Sequence, residues 1–392
     1  MLVAALLLAL GFLGVSYVTQ TRGLRLGGTI VVPMVALYSL KNFVALPVFL
    51  VSTALAYAAL WAAKEYTLVY GRQEFMIALL SGSLLPLGIL FLGEQAGTTL
   101  FDARLALFLG SILPGLAAYN LQQIKPGYRR QDAGYAIALY LGLVTVGALL
   151  VGPRLAPMLG THTPLVLFSA TSDIAVLRGA VVGGELYPVI VTRSLAVGLL
   201  LVSLLVAEWG RARFGVRAGV VTMGLLAVYA TASRWLVLLF LICFLVASFT
   251  IALIHTTTLF YGRVLVGLAG TMTAIVVIPL ALTLPIVRGL SALIVAVLAA
   301  AAAYNSHVTP PYERRMRVPL ALIVFTSIFL LARFIGNPYD RGLFADVATL
   351  PWIALLTLVI VVGSLLLLER FQVPAPSDDA VLSASILSGG EG

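Results

Sequence analysis

Residues 235–254, WLVLLFLICFLVASFTIALI, run for twenty positions without a charged side chain and lead into Thr258-Leu259-Phe260-Tyr261-Gly262-Arg263. A helix rises about 1.5 Å per residue, so a run of this length matches the roughly 30 Å hydrocarbon layer of a bilayer. The same apolar texture extends outward in both directions. Of 392 residues, 61% are hydrophobic and 10% charged, against about 25% charged in soluble domains. Lipid must therefore be the solvent. Spanning β-barrels would show short alternating segments, which are missing. The sequence predicts an all-α polytopic membrane protein.

The hexapeptide has an earlier counterpart, Thr67-Leu68-Val69-Tyr70-Gly71-Arg72. At the same offset Gly28 falls on Gly219, Tyr38 on Tyr229 and Phe49 on Phe240. At a slightly smaller offset Ala117-Ala118-Tyr119-Asn120 falls on Ala302-Ala303-Tyr304-Asn305, and Arg129-Arg130 on Arg314-Arg315. Ordered recurrence of polar motifs points to tandem duplication, a pattern common in transporters and not diagnostic of function. The expected spans of the first copy are 2–19, 27–40, 43–63, 75–93, 105–122 and 134–152. Those of the second are 187–207, 216–231, 235–254, 264–286, 289–304 and 318–335, and a last helix covers 350–368. The expected architecture is about 12–13 transmembrane helices in two six-helix repeats of the same orientation. Its divisions are 1–152, a connector 153–184, 185–336, 337–370 with the final helix, and a disordered tail 371–392. Residues 2–13 read as the start of a retained helix, since no basic region precedes them.

The formal charge is +9, and the 24 basic residues are dispersed between apolar runs. No contiguous basic surface exists to neutralise phosphates, so nucleic acid is not an expected partner. Most Lys and Arg fall on one side of the expected topology. The positive-inside rule makes that side cytoplasmic, with the N-terminus outside and the C-terminus inside.

The candidate contacts to a substrate or partner are Tyr70, Gly71, Arg72, Tyr261, Gly262 and Arg263, with Asn120, Asn305, Arg129, Arg130, Arg314 and Arg315. Gly permits a left-handed turn and Arg offers a forked donor to oxyanions. Interfacial anchoring by Arg and Tyr explains the same letters, and the Asn residues are expected to cap helix C-termini in the left-handed region. Gly27, Gly28, Pro33, Pro114 and Gly115 are candidate helix breaks; close helix packing is the alternative. Segment 27–40, with Pro33 inside it, reads as broken or re-entrant. Asp173, Arg178 and Arg193 are the main intramembrane charges, and no expected helix carries a clear buried carboxylate. His162, His255 and His307 are far apart in sequence and lack metal spacing, and one cysteine, Cys243, excludes an intrachain disulfide. No phosphate-binding loop, nucleophile elbow or carboxylate pair occurs. Catalytic residues, metals and cofactors are not expected.

Three motifs together resemble the PgsC/CapC family of poly-γ-glutamate capsule synthesis: Gly27-Gly28-Thr29-Ile30-Val31-Val32-Pro33, Leu68-Val69-Tyr70-Gly71-Arg72-Gln73-Glu74-Phe75, and Leu113-Pro114-Gly115-Leu116-Ala117-Ala118-Tyr119-Asn120. The likeness is carried by residues 5–150, and by 185–335 through the repeat. Two features depart from the family: the unit is fused to a second copy, and Gln73 or Val264 follows the Tyr-Gly-Arg where a basic residue is usual. The resemblance implies a non-catalytic membrane subunit of an ATP-dependent synthase for an anionic poly-amino acid. Its partners would be a cytoplasmic ligase subunit, an export subunit, the polymer and membrane lipid. The alternative is an independent secondary transporter for a small solute.

Overall fold

Lipid supplies no partners for backbone amides, so the apolar runs close their hydrogen bonds internally as helices. The computed structural model describes residues 1–96, 112–184, 193–214, 220–336, 342–344, 346 and 349–371. The first six helices are α1 (Leu2–Arg22), α2 (Val31–Lys41), α3 (Ala45–Tyr66), α4 (Arg72–Ala96), α5 (Leu113–Gln122) and α6 (Arg129–Leu150). Two helical turns, α7 (Ala156–Leu159) and α8 (Asp173–Leu177), lie in the connector. Then come α9 (Arg193–Phe214), α10 (Val220–Ala232), α11 (Arg234–Thr258), α12 (Arg263–Thr283), α13 (Gly289–Val308), α14 (Pro311–Ile335) and α15 (Leu350–Phe371). The chain is an all-α polytopic membrane protein. Among the described residues, eight helices are long and apolar enough to cross a membrane. The 25-residue α4 and the 22-residue α9 are also long, but both include side chains outside the described set. Of the expected tail 371–392, Phe371 ends α15 and 372–392 lie outside the described set.

Expected span 27–40 forms a helix of only 11 residues, and of span 216–231 the described part is the 13-residue α10, residues 216–219 lying outside the described residues. Eleven residues reach about 16 Å, half of the hydrocarbon layer. The distance is completed in the first case by the loop 23–30, whose Leu24, Leu26 and Thr29 are buried.

Hydrogen bonds fix which helix ends share a face. The N-terminal amine and the Leu2 amide donate to Thr163 Oγ1, and the Phe43 amide to Asp173 Oδ2, so α1 begins and α2 ends beside the connector. At the opposite end, Asp132 at the start of α6 accepts from the 23–30 loop, and Glu74 in α4 pairs with Lys64 of α3. We call these the connector face and the turn face.

Within α1–α6 the packed pairs are first with second and sixth, second with third, fifth and sixth, third with fourth and fifth, and fourth with fifth. The same pairs pack within α9–α14. Between the two sets, α1 packs on α12 and α4 on α9, the first helix of each against the fourth of the other. Apolar attraction between helices is weak in lipid, so close approach of small residues has to hold them together. Gly267 and Gly270 lie against Phe12 of α1, and a Cβ at Gly267 would collide with Ser16 Oγ. Gly82 and Gly115 bring α4 and α5 into backbone contact in the same way. Leu141 and Leu149 of α6, and Leu358 and Leu366 of α15, face outward as lipid-facing side chains do.

Candidate functional site

The turn face is organised around the loop that completes the α2 crossing. Leu26, Gly27 and Gly28 all have positive φ, at 49°, 67° and 120°, so the backbone here cannot be helical and its polar groups need other partners. Asp132 Oδ1 accepts the Arg25 amide at 2.6 Å and the Leu26 amide at 2.7 Å. Asn120 Nδ2 donates to the Gly27 carbonyl at 3.0 Å and to Leu116, one turn back in its own helix, at 2.8 Å. Both side chains are buried, Asp132 at 1% exposure. A Cβ at Gly28 would stand 2.7 Å from Asn120 Nδ2, so the approach of loop to α5 requires glycine.

Two expectations need correcting. Asn120 is not a left-handed cap: it lies inside α5, and the C-cap is Gln123 in the right-handed region. Asn305 lies inside α13, where its carbonyl accepts Thr309 Oγ1 at 2.6 Å. Buried carboxylates are also present. Asp132 and Glu74 occupy the first turns of α6 and α4, because these helices begin at 129 and 72, before the apolar runs at 134 and 75. Hydropathy marks where a helix enters lipid and not where its backbone bonds begin. Glu74 accepts from Lys64 at 2.8 Å and from Gln123 at 3.0 Å.

The paired arginines divide their work. Arg129 Nε donates to the Ile124 carbonyl at 3.3 Å and Nη1 to the Tyr57 hydroxyl at 3.1 Å. Arg314 Nε donates to the Thr309 carbonyl at 2.9 Å and Nη2 to that of His307 at 3.1 Å. In each set the first arginine ties down the preceding loop, while Arg130 and Arg315 are exposed. Tyr70 and Tyr261 are 78% and 81% exposed, beyond turns whose glycines have φ of 63° and 66°. Arg72 and Arg193 begin α4 and α9, but their side chains lie outside the described residues.

Arg263 meets the first helix set. Its charged and phenolic neighbours are Arg25, Tyr119 and Asp132 from that set and Tyr304 of α13. Its Nη1 is inaccessible to solvent and has no hydrogen-bond partner among the described residues. Sequence reasoning passed over Asp132, Arg25 and Tyr119 as part of this cluster. The available signal was an acidic residue standing alone in the basic 129–132 stretch.

The other candidates make local packing or hydrogen-bond contacts where described. Pro33 and Pro114 stand in the first turns of α2 and α5, where amides lack intrahelical partners anyway. Gly115 serves the α4–α5 contact. Asp173 accepts the Phe43 amide on the connector face, and Arg178 lies beside Gly152. His255 and His307, distant in sequence, stack edge to face with centroids 5.0 Å apart, because α11 and α13 pack together. No group of three or more metal-ligating side chains occurs among the described residues.

A family model described as capsule biosynthesis CapC matches residues 10–130. Residues 10–130 belong to the CapC family. No curated protein and no solved structure matches the chain. The CapC region runs from α1 to the first residues of α6 and contains the Gly27-Gly28 loop, the Tyr70-Gly71-Arg72 turn, Asn120 and the Arg129-Arg130 pair. The chain is a multi-pass membrane protein by its helices, and its residues 10–130 point to capsule biosynthesis. Asp132 and Arg263, which complete the loop's surroundings, lie beyond the CapC match.

Proposed function

We propose that this chain is the non-catalytic membrane subunit of a complex that makes and exports poly-γ-glutamate or a similar anionic poly-amino acid. Its turn face is cytoplasmic and docks an ATP-dependent ligase subunit. The observation that carries this reading is the common exposure of Tyr70, Tyr261, Arg130 and Arg315 around a CapC-type loop on one end of the bundle. Large exposed aromatics and free guanidinia at an aqueous face suit a protein partner. Lys125 adds to a cationic field that also draws in an acidic chain. Basic residues crowd this face, in keeping with a cytoplasmic location.

In the same reading the two helix sets are copies of one unit facing the same way. Their matching packing pairs support this, as do the equivalent Arg129–Ile124 and Arg314–Thr309 hydrogen bonds. Where their first and second helices cross, Gly11 faces Pro33 in one set, while Gly224 faces Ser203 in the other. The small residue has changed sides and the crossing has survived. The copies have also diverged: the position of Asp132 is taken by Arg317, which donates to Ala302 and Thr309.

Deleting the gene while the ligase is intact, and assaying surface polymer, tests the role. Loss of polymer, restored by the full chain, is expected. Unchanged polymer in a strain without a paralogue refutes it.

A further inference from the structure

We propose that the junction of the two helix sets on the turn face is a binding site for a single carboxylate of the acidic chain, held by Arg25 and Arg263. The choice of carboxylate rests on the polymer-synthesis reading above; the site itself rests on the charge and hydrogen-bond balance of the junction.

Two guanidinia, Arg25 and Arg263, are neighbours, and Asp132 is the acidic neighbour of Arg263. Oδ1 of that carboxylate already takes two backbone amides. One positive charge is left over in a place partly withdrawn from water. Like charges side by side in such a setting repel, and a buried N–H without an acceptor is destabilising. Arg263 Nη1 is such a donor. An oxyanion between the two guanidinia relieves both conditions and meets the planar fork of each.

Two phenols act on the same guanidinium. Tyr119 and Tyr304 contribute phenolic hydroxyls, and the Tyr119 ring is steadied edge to face on Phe75 at 5.2 Å. Gly262, with φ of 66°, turns the chain into the 21-residue α12 without a side-chain cap, so the positive end of that helix opens here. A monoanion balances the surplus charge and a phosphate dianion exceeds it. A carboxylate and a lipid phosphodiester share that single charge, and the test separates them.

Full-length protein in phosphatidylcholine nanodiscs is titrated with a fluorescent γ-linked glutamate pentamer, and thermal unfolding is followed with and without it. The wild type binds, and its unfolding midpoint rises with the pentamer. Arg263→Gln and Arg25→Gln each weaken binding at least tenfold and lose the rise. Arg263→Lys, which keeps the charge without the fork, retains part of the affinity and shows that the fold tolerates the change. Arg154→Gln, on the connector face, binds like the wild type. Absence of wild-type binding, or wild-type affinity in either Gln variant, overturns the site. So does a midpoint that responds through Arg263 to phosphatidylglycerol in the discs and not to the pentamer, which assigns the junction to lipid. If gene deletion abolishes polymer while the pentamer result fails, the subunit role stands and the site falls.

Discussion

Replacing Asp132 with alanine leaves the Arg25 and Leu26 amides without an acceptor at a depth where Leu26 is fully buried. Each orphaned buried donor costs about 1–3 kcal/mol. The buried Leu26 amide carries this cost in full and the half-buried Arg25 amide adds less, so the closed loop is weakened by at least about 1–3 kcal/mol, which raises its open population roughly 5-fold to more than 100-fold. The readout is maleimide labelling of Leu26→Cys in a Cys243→Ser background, Cys243 being the single native cysteine and buried. Labelling should be slow with Asp132 present and fast in Asp132→Ala. Asp132→Asn keeps an acceptor oxygen without its charge and should fall between. Equal protection of Leu26→Cys in all three backgrounds would show that the carboxylate does not hold the loop, and the account of the broken crossing would fail.

Gly28→Ala should lower the unfolding midpoint in detergent sharply, since φ is +120° and the new Cβ meets Asn120. Gly71→Ala has open space and should destabilise only by the about 1–2 kcal/mol of left-handed backbone strain it adds. Gly267→Ala should loosen α1 from α12 and be partly rescued by Ser16→Gly in a double-mutant cycle, because Ser16 Oγ is the atom in the way. Arg129→Ala should destabilise the protein by about 1–3 kcal/mol, as it removes charged donors to Ile124 and Tyr57. Arg130→Ala should leave the midpoint unchanged and reduce ligase recovery in a pull-down, with Arg315→Ala acting the same way.

Much of the fold was legible because hydropathy is a local property. Twenty uncharged residues at 235–254 become a helix whatever surrounds them, and the short segment at 27–40 was readable as broken from Gly27, Gly28 and Pro33. The turns at Gly71 and Gly262 were equally accessible, since positive φ is a property glycine carries with it. The starts of α4 and α6 were missed because helical hydrogen bonding continues into polar sequence beyond the apolar run. The contact of His255 with His307 was not legible, because separation along the chain says nothing about helices that return side by side.

What the sequence determined by itself was the solvent, the helical class and the positions at which the chain turns, all of which follow from side-chain hydrophobicity and backbone freedom within a few residues. Only the tertiary structure decided which groups answer the broken crossing. Asp132 reaches the Arg25 amide across 107 positions, and Asn120 reaches the Gly27 carbonyl across 93. A buried amide or carbonyl has to be satisfied somewhere, but packing alone selects the partner.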